Sequence, residues 1–431
     1  MNLVRAQVVP GGTMKQNLRP ILVVFLTVVL DLVGFGIFIP LMSYYAEAFS
    51  ASPTQVTLLM AVYSVMQFVC APVLGQLSDR FGRRPVLVVS IGLTALMLAG
   101  FASATELWML FVLRALHGAM TANIGTAQAC MADLTRPEDR ARGMGLIGAA
   151  FGLGFTLGPF LGGVLAHVSP EVAKDCVAGA VAAAGSAVHI PKEQLAGPIW
   201  FAAGLSAVNF VLAVLLLPET RHAASGPGSH RAIRPDVLLR TLRHPAVGLV
   251  VLLNFLLVFA FALMESTFTL FAEHRHCLSP MDVGKMFGVV GVVGIIVQGG
   301  LIGRLVKRFG EAALVPVGVL LVGLGVALLP LVSPGVAMLV AFVIIASGQG
   351  VANPSLSGLL SRGTHADEQG GVLGSNQSMA ALARATGPAL GGVLYERVGM
   401  GVPFFVAAGL CGLAFLLAFK ATARAERGRL A

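Results

Sequence analysis

The sequence predicts an all-α polytopic membrane protein, two pseudo-symmetric six-helix bundles around a central cavity. Three observations predict it. Of 431 residues, 56% are hydrophobic and only 11% charged, with a mean hydropathy of +0.86, whereas a soluble domain carries about a quarter charged residues. Apolar runs long enough to cross a bilayer recur about twelve times. Distant residues also repeat at one offset: Gly75 with Gly303, Gly82 with Gly310, Asp139 with Asp367 and Gly143 with Gly371. One residue further on, Gly158-Pro159-Phe160-Leu161-Gly162-Gly163 repeats as Gly387-Pro388-Ala389-Leu390-Gly391-Gly392.

A polar segment, 1–20, precedes the first run and no cleavage site follows that run, so no removable signal is expected. The first bundle (21–217) takes Ile21–Tyr44, Thr54–Leu77, Val86–Ala104, Leu107–Met131, Gly143–His167 and Ile199–Leu217 as its spans. A linker (218–244) ends in a basic stretch that suits an amphipathic helix lying along the membrane. The second bundle (245–420) takes Pro245–Phe271, Val283–Leu305, Ala312–Pro330, Gly335–Leu360, Gly370–Tyr395 and Val402–Phe419, with a tail at 421–431. Ser169–Pro198 reads as a long Ala/Gly-rich outer loop.

The net charge of +9 gathers in alternate loops. Arg5, Lys15 and Arg19 precede the first span, Arg80, Arg83 and Arg84 follow the second, and Arg136, Arg140 and Arg142 follow the fourth. Arg221, Arg231, Arg234, Arg240 and Arg243 fill the linker. That placement puts both termini in the cytoplasm and assigns the charge to orientation and anionic lipid rather than to nucleic acid. The five cysteines have no metal spacing; Cys176 and Cys277, both in outer loops, can pair as a disulfide. No phosphate loop, metal box or catalytic triad is present, so neither enzyme activity nor a cofactor or metal is expected. Parallel six-span halves are the architecture of transporters whose site lies between the halves. A small-molecule substrate, the lipid bilayer and a monomeric state are therefore expected.

Charged residues inside spans are the candidates for chemistry. Asp31, near the middle of the first span, would cost about 3 kcal/mol there as a charge. It is either a proton acceptor kept neutral by desolvation or a neutral acid making a helix–helix hydrogen bond. Arg114, in the fourth span, is its natural counter-charge or else pairs with backbone carbonyls. Glu265 is either a second titrating group or a residue at the cavity mouth. Arg384 pairs with Glu265 or meets an anionic substrate. Tyr63, Gln67, His117, Asn123, Asn209, Asn254, Gln298, Gln349, Asn353, Asn376 and Gln377 are polar candidates to line the cavity or to bridge helices. At the cytoplasmic face, Gly75, Asp79, Arg80, Gly82, Arg83 and Arg84 form a charged turn. Asp79 can face the start of the eleventh span near Gly370, where free backbone N–H groups favour an anion, and it can also pair with Arg80, Arg83 or Arg142. Such a contact would hold the two halves together as a latch. Gly154, Gly158, Pro159, Gly162 and Gly163, with Gly387, Pro388, Gly391 and Gly392, make smooth helix surfaces for close packing.

Five stretches carry a resemblance: Leu30-Asp31-Leu32-Val33-Gly34-Phe35-Gly36 with Pro40; Gln67 through Pro85; Arg114-Ala115-Leu116-His117-Gly118; Gly148 through Gly163; and Gln298 through Arg304. In these the chain resembles the major facilitator superfamily, and within it the twelve-span drug:proton antiporters, most closely the tetracycline antiporter branch. The resemblance implies the major facilitator fold, proton-coupled export in a bacterial cytoplasmic membrane, a latch role for the Gly75–Arg84 turn and an antiporter motif at Gly154–Gly163. It also implies that Arg114 tunes a nearby acidic proton carrier. The chain departs from that branch where tetracycline antiporters carry further acids, in the third and ninth spans. Met97 stands at the third-span position, and Ala312–Pro330 holds no acid. Tetracycline and its divalent-cation complex are therefore not carried over; a proton-driven exporter of amphipathic compounds is the expectation, with a transporter of a sugar or organic anion as the alternative.

Overall fold

A computed structural model describes residues 14, 16–166, 190–220, 240–244, 247–362, 364 and 369–427. Among these residues the chain is helical, with no strand. The first apolar run folds as two pieces, α1 (Leu18–Ile37) and α2 (Met42–Glu47). Pro40 separates them, since its ring and missing N–H cannot continue a helix. Next, α3 (Pro53–Phe81) starts on a capping box of Ser52 with Gln55. It ends at Gly82, whose φ of +106° favours glycine, and α4 (Arg83–Ala102) follows at once. The fourth run, read above as one span, is broken by a 3-10 turn at Thr121–Asn123 into α5 (Leu107–Met120) and α6 (Ile124–Asp133). Two long helices, α7 (Arg140–Leu165) and α8 (Lys192–Leu216), complete the first half, the latter beginning a turn or two before the expected Ile199.

The second half opens with α9 (Val247–His276) and α10 (Pro280–Ile296). The latter starts on a second capping box, Ser279 with Asp282, again followed by proline. A π turn at Val297–Leu301 carries it into α11 (Ile302–Leu328), which bends at Gly310 with φ +76°. Then come α12 (Val336–Arg362), α13 (Gln369–Arg397) and α14 (Val402–Arg427). Ten helical stretches are long and apolar enough to span a membrane. The stretch 280–328 counts there as one, although the Gly310 bend divides it into two crossings. Meanwhile α13, rich in glycine, alanine and polar residues, falls below the hydropathy of the rest. Twelve crossings result among the described residues, so that the start of α1 and the end of α14 lie on one side of the bundle, called here the terminal end. Most of the linker in which an amphipathic helix is expected (221–239), most of the outer loop (167–189) and Cys176 lie outside the described residues. Cys277 is disulfide-bonded; Cys70, Cys130 and Cys411 are free.

Glycines set how the helices meet. A Cβ on Gly158 would run into Gly36 and the Val33 carbonyl of α1, and one on Gly162 into Ile37. Next to them Gly163 faces the other half, against Pro280 and Gly284 of α10. The repeat does the same: Gly387 and Gly391 press on α9 at Phe259, Leu263 and Thr267, while Gly392 meets Thr54 and Thr57 of α3. In each half one face of the motif thus packs on that half's own first span and the next glycine packs across. The cross-half hydrogen bonds join the far ends. Tyr44 donates to the Leu278 carbonyl (2.6 Å), and Glu396 accepts from the Thr54 N–H (2.9 Å) and the Ser52 hydroxyl (3.1 Å) at the start of α3. Toward the terminal end the space opens: a methyl group on Gly75, Gly145, Gly148, Gly299, Gly303 or Gly374 would meet nothing within 4 Å. The halves form a wedge, shut at the far end and open at the terminal end.

Replacing Gly158 by leucine should push α1 and α7 apart. The expected cost is about 1–3 kcal/mol, read as a lower melting temperature in detergent. Gly145→Ala, with free space around it, should leave melting unchanged or slightly raised.

Candidate functional site

Packing in the first half delivers an arginine into an aromatic cage. Gly118 lets α5 touch the backbone of α3 at Tyr63, because a Cβ there would collide with Tyr63 carbonyl and Cα. One turn earlier Arg114, 4% exposed, lies with its guanidinium 4.3 Å from the Tyr63 ring centre, 5.4 Å from Phe38 and 5.8 Å from Phe35. His117 Nδ1 is 3.4 Å from an Arg114 nitrogen, and its ring stands edge-on to Tyr63. Cation–π contacts of this kind contribute about 0.5–2 kcal/mol each, and more when dry. Gln67 donates to the Thr121 carbonyl (3.3 Å), and the Thr121 hydroxyl donates to the His117 carbonyl (3.1 Å), so the 3-10 turn is tied to both α3 and α5.

Asp31 is not part of that cage. Its carboxyl lies in a small pocket inside the first half, lined by Val24, Thr27 and Val28 of α1, Leu87 and Ile91 of α4, and Asn123, Ile124 and Ala127. Oδ1 is buried with no hydrogen-bond partner, and the expected ion pair with Arg114 does not form in this state. Asn209 of α8 donates to the Thr27 carbonyl (3.0 Å), one turn away, and so fixes α1 beside α8.

Across the interface, Glu265 of α9 and Arg384 of α13 act on each other electrostatically without closing to an ion pair. Arg384 also acts on Tyr63, as do Arg114 and Asp31. Tyr63 therefore stands where the charged groups of both halves meet. Arg384 is exposed, whereas Asn254 and Asn376 are buried. Asn353 donates to Gln349 (2.9 Å) along α12, and Gln298 lies exposed on the π turn.

At the terminal end the charged turn is organised within its own half. Arg83 pairs with Asp79, bonds the Ser78 hydroxyl (2.7 Å) and reaches Asp133 (3.4 Å). Glu219, just after α8, accepts from the backbone N–H groups of Arg83 (2.9 Å) and Arg84 (3.2 Å), and so caps α4 across Gly82. Arg84 bonds the Val214 carbonyl (2.6 Å). In the other half Glu311 and Arg362 pair at 3.0 Å, a matching tie of opposite polarity. Glu219 was not singled out in the sequence; its lone carboxylate just past an apolar run was the available signal.

Comparison with known proteins agrees with this geometry. The family model of the Major Facilitator Superfamily matches residues 24–388 and again 337–430. The chain is 32% identical over 386 residues to tetracycline resistance protein, class C, of Escherichia coli, covering 89% of this chain and 91% of that protein. It is 25% identical to multidrug resistance protein 2 of Bacillus subtilis (strain 168), covering 84% and 85%. Among solved structures it resembles the human organic anion transporter MFSD10 (TETRAN), with a TM-score of 0.67, 26% identity and 93% and 99% coverage.

Removing the Tyr63 ring face should weaken the cage. Tyr63→Leu is expected to lower stability by about 1–3 kcal/mol in thermal melts, and Tyr63→Phe, which keeps the face, by clearly less.

Proposed function

The chain belongs to the major facilitator superfamily, a family of transporters and not of enzymes, and on that premise we propose proton-driven export of small amphipathic compounds by alternating access. The observation that carries this reading is Asp31, an acid inside the first bundle whose buried oxygen no donor reaches. Such a group is tolerated when it holds a proton and needs water or a partner when it does not. Movement of the halves that wets or dries the pocket then loads or unloads it. Glu265, beside Arg384, is the matching acid of the second half. Similarity to a tetracycline resistance protein and to a multidrug resistance protein supports a drug-like substrate. Met97 and the acid-free ninth span speak against tetracycline.

The Lys and Arg of the loops at the terminal end support a cytoplasmic position for that end, which makes the wedge open inward. In that state Asp79 is held by Arg83. Closing the wedge would bring Asp79 to the start of α13, where the helix dipole welcomes an anion. Each charge moved through the potential is worth about 2.3 kcal/mol per 100 mV, enough to drive export against a gradient. One observation favours a second reading, an organic anion as substrate: Arg384 is exposed, and the human relative is an organic anion transporter.

In a pump-deficient host, Asp31→Asn should reach the membrane in normal amount yet confer no resistance. In proteoliposomes it should release no protons when substrate is added; substrate-induced proton release equal to wild type would remove Asp31 from the mechanism. Asp79→Asn should insert normally and lose transport, and unimpaired flux in it would remove the latch. Anionic substrates moving without proton flux, with loss in Arg384→Gln, would favour the second reading.

A further inference from the structure

Closure of the far end rests on a buried polar cluster drawn from both halves. Glu47 ends α2 in the first half; Glu273 and His274 end α9 in the second, with Tyr395 beside them on α13. Glu47 Oε1 lies 2.9 Å from His274 Nε2, and His274 Nδ1 lies 3.0 Å from the Tyr395 hydroxyl. One ligand atom from each of Glu47, Glu273 and His274 falls within 4.8 Å of the others. Glu273 is 3% exposed. No N–H or O–H reaches either of its oxygens or Glu47 Oε2; the two carboxyls meet each other.

Proton counting then decides what the cluster can be. His274 serves only one oxygen of Glu47, whether it donates from Nε2 as a neutral ring with Tyr395 donating to Nδ1, or from both nitrogens as a cation. Two ionised carboxylates facing each other away from water repel strongly, and each leaves acceptors unmet. A single proton placed between them removes one charge and supplies the missing donor, so the pair titrates as a unit. Other titratable groups around them do not fill this role. Tyr44 spends its hydroxyl on the Leu278 carbonyl, Asp282 is taken up by Ser279 and lies 3.5 Å from Lys285, and Glu396 caps α3. His276 packs edge-on to Phe271, and Arg275 is exposed.

We propose that Glu47 and Glu273 form a proton-binding site between the halves, and that closing the far mouth takes up one proton there. Opening carries Glu47 away with one half and Glu273 with the other. Each then meets water, which solvates both carboxylates and lets the shared proton leave. The closed form holds one proton more than the open form, so low pH favours closure and rising pH favours opening. One proton makes the closed-to-open ratio change about tenfold per pH unit. Only the compartment that supplies the proton rests on the export reading: with the far end outside, an acidic exterior resets the emptied transporter to its inward-open state.

The test is a distance measurement on the purified full-length protein in detergent, where both faces share one pH and no substrate is needed. Spin labels at Thr105 and Val398, in a background with Cys70, Cys130 and Cys411 replaced by alanine, report the width of the far mouth. The short distance should dominate at pH 5 and yield to a longer one as pH rises, with the tenfold slope. Glu273→Gln donates an N–H to Glu47 in place of the proton and should stay closed across the range. His274→Gln and Asp31→Asn should keep the response. A pH-independent distance in the wild-type background, or an unchanged response in Glu273→Gln, overturns the proposal. So does loss of the response in His274→Gln or Asp31→Asn. Closure that needs added zinc and is abolished by EDTA also overturns it, because a cation would then occupy the site. Loss of transport in Asp31→Asn with this response intact would separate the two sites.

Discussion

An acid inside a helix bundle, one of whose oxygens is buried where no donor reaches it, is the constraint on which this structure turns. Asp31 cannot stay charged there cheaply, and hydrocarbon on the outside of the bundle is worse. Its pocket is walled by leucine, isoleucine and valine from α1 and α4, with Asn123 and Thr27 as the nearby polar groups. Apolar walls of this kind make a charged carboxylate costly unless water or a partner reaches it. Arg114 stands apart, held by three rings rather than by the acid. Its guanidinium lies 4.3 Å from the Tyr63 ring centre.

Movement requires helices that slide without losing their packing. The glycines of α7 and α13 give such surfaces, with backbone against backbone at Gly36 and Gly158, and again at Gly163 and Gly284. The same residues fix the pivot near the far end, where Gly163 and Gly392 cross to the opposite half. Toward the terminal end the glycines have empty space beside them, which is the room a rocking motion uses. Charges at that end are tied within each half, Arg83 to Asp79 and Asp133, Glu311 to Arg362. Each half can therefore move as a unit.

Much of this was legible in the sequence, and the exceptions have physical reasons. The repeat of Gly82 at Gly310 marks two turns that both need positive φ, so the internal symmetry could be read from glycines alone. The span Gly370–Tyr395, counted as a run of mostly small and apolar residues, is filled by α13 even though that helix falls below the hydropathy of the others. The break at Thr121–Asn123 was not read from the sequence, although Thr121, Asn123, Gly125 and Thr126 make the stretch polar, because the bond that holds the turn comes from Gln67 on another helix. Asp31 and Arg114 were expected to pair because lone charges in membranes usually do. The aromatic side chains of Phe35, Phe38 and Tyr63, scattered over two helices, gave no hint that they would converge on the arginine. Likewise Glu47 and Glu273, far apart in the chain, meet only once the halves are docked.

The central claim is that Asp31 holds a proton while the terminal end is open. Infrared difference spectroscopy of the purified protein at neutral pH measures it most directly, through the C=O stretch of a protonated carboxylic acid. A band present in the wild type and missing in Asp31→Asn is the result this account predicts. An identical carboxylic acid region in the two proteins, with Asp31 contributing only a carboxylate band, would contradict it.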